Sequence, residues 1–330
     1  MQTIEKQSLL KLEGVKKYFP IKGGLLQRVQ GHVKAVENVS LEVFEGESVG
    51  VVGESGCGKS TLGRTVLGLE DITDGKVYFQ SQDTQALSGK ERKAIKKDMQ
   101  MIFQDPYASL NPRQKIGNAL EEAFVIHTNL AKEERKRRVI ELLQEVGLKE
   151  EHYDRYPHEF SGGQRQRIGI ARAIALNPSL IICDEAVSAL DVSVQAQVLK
   201  LMKGLKDKYQ LTYLFISHDL GVVRYFCDRV LVMYLGNTME LASSEKLYEN
   251  PLHPYTKALL SSIPRPKIGV KGERIRLQGE IPNPANPPSG CPFHTRCPIA
   301  TDLCKQSKPE WKEAEPNHFV ACHYVGKELN

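Results

Sequence analysis

Four short runs of mostly apolar residues, Ser48–Val52, Met101–Phe103, Leu180–Cys183 and Tyr213–Ile216, punctuate the first two thirds of the chain. Runs without polar alternation suit strands covered on both faces, so they predict buried parallel strands. Between the last two, Val194, Val198, Leu201 and Leu205 recur at spacings of four, three and four. That spacing predicts a helix over Ser193–Tyr209 with one apolar stripe. Strands alternating with such helices imply an α/β sheet covered on both sides. Ala35 to Val52 alternates with a period of two, broken at Glu45-Gly46-Glu47, and Gly75–Phe79 adds a short β segment. These predict an antiparallel addition to the sheet. Glu121 to Gly147 turns helical and charged, and its KEERKRR run over Lys132–Arg138 reads as a solvated helix face.

Composition changes this picture only near Asn250. Beyond it lie 12 of the 17 prolines and four of the seven cysteines. The expected division is therefore an α/β domain over residues 1–250 and a proline- and cysteine-rich extension over 251–330. A length of 330 residues accommodates one large domain and one small. With 41% hydrophobic and 26% charged residues, wholesale disorder is excluded. No apolar stretch approaches the ~18 residues of a membrane span, and the N-terminal MQTIEKQSLLKLEG has no signal-like apolar core. The expectation is a chain that neither crosses a membrane nor is secreted. A net charge of +5 is mild and gives no expectation of nucleic-acid binding.

The chemistry starts at Gly53–Ser60. GESGCGKS fits G-x-x-x-x-G-K-[ST], follows the apolar strand SVGVV and precedes the helical TLGRTVLGL. Gly53, Gly56 and Gly58 let the backbone of Glu54, Ser55 and Cys57 wrap tightly, so that amides and a helix N-terminus point at phosphates. Lys59 is placed for the β- and γ-phosphates, Ser60 for Mg²⁺ and Thr61 for the α-phosphate. A second piece is the apolar strand Leu180–Cys183 ending in Asp184 and Glu185. An acid there brings a carboxylate to the sheet edge where α/β proteins bind ligands. Asp184 suits Mg²⁺ and Glu185 the attacking water, although an acidic pair at a strand end also suits the cap of a following helix.

Further motifs appear in order around these two. Phe160–Gln164 reads FSGGQ, MIFQDP carries Gln104, Ser188–Asp191 reads SALD, and FISHDL carries His218. Together they resemble the signature, Q-loop, D-loop and switch motifs of the ABC-type ATPases. Tyr18 in VKKYF resembles the aromatic that stacks on adenine, with Phe19 the second choice. The departures are slight: Phe160 stands where the signature usually has leucine, and Cys183 where a small apolar residue is common. The resemblance implies an ABC-type P-loop ATPase domain: a mixed-sheet core, an antiparallel β subdomain and a helical signature subdomain. It also implies a head-to-tail pair of ATPase domains, with Ser161 and Gly163 serving the partner's nucleotide. Asp191 and Gln104 would contact the nucleotide, Gln104 also its Mg²⁺ and the catalytic step, His218 would donate to a γ-phosphate oxygen, and Asp219 would be a helix cap.

The later segments HPYTKALL (His253–Leu260), QDPYASLNP and GEIPNPANPPSGCPF resemble the ATPases of dipeptide and oligopeptide importers. That resemblance implies a peripheral protein on the cytoplasmic face of the bacterial inner membrane. Its partners would be a second, similar ATPase, two membrane permeases and, indirectly, an extracytoplasmic peptide-binding protein. Importers of nickel, haem or other solutes share this ATPase, and a soluble ABC ATPase acting on DNA or ribosomes is the reading from another class. Cys291, Cys297, Cys304 and Cys322 are spaced C-x5-C-x6-C-x17-C. In a reducing compartment such a cluster suggests a metal or unligated thiols. The wide spacing favours an iron–sulfur cubane over zinc, which usually takes closer pairs, and the resemblance also implies a [4Fe-4S] cluster. Zinc with His294 or His323, or no metal, remain the alternatives.

Overall fold

The computed structural model describes residues 7–24, 27–105, 107, 109–263 and 275–325, so Pro106 and Ala108 of the QDPYASLNP stretch lie outside it. The strands are β1 (Ser8–Gly23), β2 (Arg28–Phe44), β3 (Ser48–Val52), β4 (Asp74–Phe79), β5 (Gln82–Asp83), β6 (Met99–Ile102), β7 (Leu180–Asp184), β8 (Thr212–Ile216), β9 (Arg229–Tyr234), β10 (Asn237–Ser243), β11 (Lys312–Glu315) and β12 (His318–Val320). The helices are α1 (Lys59–Val66), α2 (Gly89–Asp98), α3 (Ile116–His127), α4 (Lys132–Glu145), α5 (Gly162–Ile174), α6 (Val192–Tyr209), α7 (Leu220–Phe226), α8 (Ser244–Glu249), α9 (Pro254–Ser261) and α10 (Asp302–Gln306). They divide between two units that interleave along the chain. One takes in Phe44–Glu47 and Ala86–Ile216, the other Ser8–Val43, Ser48–Gln85 and the chain from Ser217 onward.

In the first unit β6, β7 and β8 run parallel, with Ile102 opposite Cys183 and Asp184 opposite Ile216. Every residue of β7 and β8 is buried, which is why these strands read as unbroken apolar runs. The β6 run begins and ends earlier than its sequence suggested, because Phe103 is already exposed. On α6 the buried stripe is Val198, Leu199, Met202 and Leu205. It is rotated from the predicted one, and Val194 and Leu201 sit at its margins. The charged start of α4 faces solvent, where Arg137 pairs with Glu134 and Glu141, while Val139, Leu142 and Leu143 are buried. Such exposed pairs contribute at most about 1 kcal/mol each, so α4 is held by its apolar face.

In the second unit the strand order β11-β12-β10-β9-β3 makes a mixed sheet. β3 runs parallel to β9, with Val52 opposite Val232. The β9–β10, β10–β12 and β11–β12 pairs are antiparallel. A separate sheet of order β2-β1-β4-β5 carries antiparallel β1–β4 and β4–β5 pairs. The break at Glu45-Gly46-Glu47 therefore divides two sheets: the alternating stretch before it lies beside β1, and the apolar run after it is the parallel strand β3. The long β1 gave no clear periodic signal, since its second half is only half-buried and includes Pro20. Among the described residues no helix is long and apolar enough to cross a membrane.

Candidate functional site

The loop after β3 turns where its glycines allow. Gly53, Gly56 and Gly58 have φ of 153°, 78° and 102°. At Gly58 a Cβ would lie 1.9 Å from the Ala35 carbonyl oxygen, so only glycine fits. The turn is tied by the Cys57 amide donating to the Glu54 carbonyl (3.2 Å) and the Gly236 amide to the Cys57 carbonyl (2.9 Å). Lys59, 5% exposed, donates from Nζ to the carbonyls of Gly53 (2.8 Å) and Glu54 (3.1 Å). Burial raises the Cys57 thiol and Lys59 beside it opposes that shift, so Cys57 is a neutral wall of the loop. Ser55 and Gly56 are exposed, while Ser60 and Thr61 are half-buried at the start of α1.

Tyr18, on β1 in the same unit, donates from its hydroxyl to both Glu37 oxygens, at 2.9 and 2.8 Å. Burial and that carboxylate hold its phenol well above the ordinary range. The Lys34 ammonium lies 5.6 Å from its ring centre, and Lys17 lies 4.8 Å from that of Phe19. His218 is exposed, and Asp219 beside it accepts from the amides of Gly221 (2.8 Å) and Val222 (3.2 Å). Asp219 is thus the cap of α7, as expected.

In the other unit Asp184 ends β7 at 5% exposure. Glu185 follows with φ of 48°, a left-handed conformation that a non-glycine residue adopts at a cost of about 1 kcal/mol or more. Its amide donates to the Ile216 carbonyl (3.0 Å) and its carboxylate accepts from Gln104 Nε2 (3.0 Å). The acidic pair does not cap a following helix, since α6 begins only at Val192 with the exposed Asp191 before it. Ser161 is exposed and caps α5: its hydroxyl accepts from the Gln164 amide (3.3 Å), and Gln164 Oε1 accepts from the Ser161 amide (3.0 Å). Gly163 lets α5 approach α6, since a Cβ there would lie 2.4 Å from Val194 Cγ1.

The cysteine-rich segment corrects the sequence reading. Cys291, Cys297, Cys304 and Cys322 do border one small, partly open space, together with His253, Phe293 and neighbouring residues. That space is about 10 Å³, room for about one water and not for a four-iron cubane. Burial pushes the Cys291 thiol up to about 12 and the Cys297 thiol up to about 11, and raises Cys322. All three are neutral thiols. One ring nitrogen of His294 is engaged by the Cys291 carbonyl (2.8 Å), and one of His323 by that of Ser307 (3.0 Å). Among the described residues no group of three or more His, Cys, Asp or Glu side chains is arranged to hold a metal ion. The expected [4Fe-4S] cluster, and the zinc alternative with His294 or His323, are withdrawn. The segment is a packed thiol and aromatic core.

Two residues that the sequence reading gave no role touch the glycine loop. The Arg296 guanidinium meets the Glu54 carboxylate at 2.6 and 3.1 Å, and Tyr255 Oη accepts the Glu54 amide at 2.9 Å. The only available hint was an acid inside a phosphate-type loop, which calls for a cation nearby.

The ABC transporter family matches residues 36–188, and the oligopeptide/dipeptide transporter C-terminal region matches residues 239–304. The oligopeptide transport ATP-binding protein AppF of Bacillus subtilis is 58% identical over 326 residues, covering 98% of this chain and 99% of that protein. The dipeptide transport ATP-binding protein DppF of Haemophilus influenzae is 49% identical over 321 residues, covering 97% and 98%. Among solved structures, the dimeric post-hydrolysis state of the ATP-binding cassette MJ0796 bound to ADP and Pi superposes with a TM-score of 0.63 at 31% identity. It covers 72% of this chain and 99% of that one. With these matches spanning nearly its whole length, the chain belongs to the peptide-transporter branch of the ABC-type ATP-binding proteins and has the mixed α/β fold of an ATP-hydrolysing cassette.

Proposed function

We propose that this chain binds and hydrolyses MgATP as the energy-coupling subunit of an importer of dipeptides or oligopeptides, at the cytoplasmic face of a bacterial inner membrane. It would work beside a second, similar ATPase and two membrane permeases fed by an extracytoplasmic binding protein. The observation that carries the reading is the glycine loop closed around the buried Lys59, whose ammonium rests on two loop carbonyls that a phosphate would replace.

In this reading Lys59 and the loop amides bind the β- and γ-phosphates, and Tyr18 carries the adenine. Ser60, Asp184 and Gln104 would hold the nucleotide's Mg²⁺, which when bound would neutralise charge on the phosphate oxygens. Glu185 orients a water and takes its proton as the water oxygen bonds to the γ-phosphorus and the bond to the β–γ bridging oxygen breaks. His218 donates to a γ-phosphate oxygen, and Ser161 and Gly163 present the α5 N-terminus to the partner's nucleotide. Asp191, in the D-loop, contacts the nucleotide. Loss of the γ-phosphate removes what holds the pair closed, and the opening drives transport.

The test is uptake of labelled dipeptides, with nickel and haem as comparison solutes, by cells whose only copy of the chain is wild type or Lys59→Ala. Selective loss of peptide uptake is expected. Loss of another solute's uptake instead would reassign the cargo, and unchanged uptake of all of them would favour an ATPase with no transport role.

A further inference from the structure

Glu54 is the second residue of the glycine loop, and it is held at its side chain, its amide and its carbonyl. The carboxylate receives both Nη atoms of Arg296, at 2.6 and 3.1 Å. The amide donates to Tyr255 Oη at 2.9 Å, and the carbonyl accepts from Lys59 Nζ at 3.1 Å. The Arg296 side chain is 8% exposed and that of Glu54 25%, so the fork is largely withdrawn from water, where two-point geometry is directional and strong.

The holders are themselves fixed. Tyr255, fully buried, packs edge-on against Tyr234 with ring centres 4.8 Å apart, and its ring centre is 5.2 Å from that of Phe293. The guanidinium of Arg296 lies 5.9 Å from the Tyr234 ring centre. Phe293 and Arg296 both belong to the turn between Cys291 and Cys297, whose thiols are packed in the neutral core described above. Tyr255 and Arg296 thus come from two stretches beyond Asn250 and converge on one loop residue.

We propose that Arg296 and Tyr255 are positioning residues for nucleotide binding: by gripping Glu54 they preset the glycine loop in its phosphate-receiving conformation, so that the C-terminal segment sets the affinity for MgATP. The proposal rests on the reading of Gly53–Ser60 as the phosphate loop. A loop that is already ordered does not draw its ordering cost from the binding free energy. Neither residue needs to touch the nucleotide.

The experiment is equilibrium titration of the full-length chain with a fluorescent MgATP analogue, alongside thermal unfolding of each variant. Arg296→Met is expected to weaken binding about tenfold, and Arg296→Lys, which keeps the charge and loses the fork, by less. Tyr255→Phe removes only the hydroxyl and is expected to weaken binding about threefold, roughly what one neutral hydrogen bond contributes. If Arg296 acts through Glu54, then Arg296→Met in a Glu54→Gln chain adds less than about a twofold loss. Wild-type affinity in Tyr255→Phe and Arg296→Lys, with only the melting temperature lowered, would overturn the proposal and leave the contact as a brace. So would an Arg296→Met effect undiminished by Glu54→Gln. If Arg296→Met does not fold, the two milder variants still decide. Undiminished nucleotide binding by Lys59→Ala would instead sink the phosphate-loop reading, which separates the two failures.

Discussion

Gln104, just after β6, donates from Nε2 to the carboxylate of Glu185, just after β7, across 3.0 Å. The contact fixes the end of a side chain whose backbone is already in a left-handed conformation at φ 48°. An acid held this way is pre-aimed at the end of a parallel strand. Glu185→Gln, which preserves shape and removes the proposed base, should retain nucleotide binding and reduce ATP turnover by ~100-fold or more. Gln104→Ala frees the carboxylate and also removes the contact proposed for Mg²⁺, so it should lower kcat by about threefold to tenfold and weaken MgATP binding as well. Steady-state ATPase assays of the assembled transporter check both, and near-normal turnover by Glu185→Gln would exclude it as the base.

Gly58→Ala should be far more disruptive than its size suggests. The new Cβ would meet the Ala35 carbonyl oxygen at 1.9 Å, at a φ of 102° that side chains rarely adopt. The loop must then move, and nucleotide binding should be lost together with about 2 kcal/mol or more of stability. Titration with nucleotide and chemical unfolding would show it, and wild-type affinity would mean that the loop geometry is not what binds.

Ser161 performs a local task that can be separated from its proposed one. Ser161→Ala removes the cap on α5 and should cost about 1 kcal/mol. Ser161→Asp restores a capping oxygen and should recover that stability, yet it places an anion where the partner's phosphate is proposed to sit. Unfolding curves like wild type with ATPase activity lost in the assembled pair are expected. If Ser161→Asp is fully active, the serine is a cap alone.

His253 gives the fold an acid-sensitive step. Complete burial lowers its imidazole to about 4, against the weaker opposing influence of Glu240 and a backbone contact with Ala321. Its Nδ1 accepts the Tyr255 amide at 3.0 Å, so the neutral ring caps α9. Above pH ~6.5 the ring is neutral in both folded and unfolded chains and this stability is fully present. As pH falls from there toward about 4, only the unfolded chain takes up the proton, and stability drops by about 1.4 kcal/mol per pH unit. Denaturant unfolding over that range should show the slope, and His253→Asn, a capping residue without the titration, should flatten it. An unchanged slope in the variant would place the sensitivity elsewhere.

What the sequence disclosed depended on how far apart the interacting residues are. The glycine loop was legible because its requirements, turns that only glycine makes followed by lysine and serine, are met within eight consecutive residues. The strands β7 and β8 were legible because burial on both faces leaves no polar position to confuse the pattern. β1 was not, since a half-exposed strand that includes Pro20 has no clean period. Arg296 could not be found at all, because 242 positions separate it from Glu54 and no local pattern marks the contact. The cysteines misled for a related reason: spacing counts thiols, whereas a metal centre also needs room among them.

The pairing of β10 with β12 joins the end of the chain to the sheet that begins at β3, with Glu240 opposite Val320. Glu240, entirely buried, accepts from the amides of Leu252 (2.7 Å) and His253 (2.9 Å), and His318 Nε2 lies 2.7 Å from it. All three groups lie beyond Asn250. A chain cut there would keep every nucleotide motif and yet present β10 as a raw edge, with an acid stripped of these contacts in its middle. Open strand edges template pairing with other chains, so such a fragment should be insoluble rather than merely inactive.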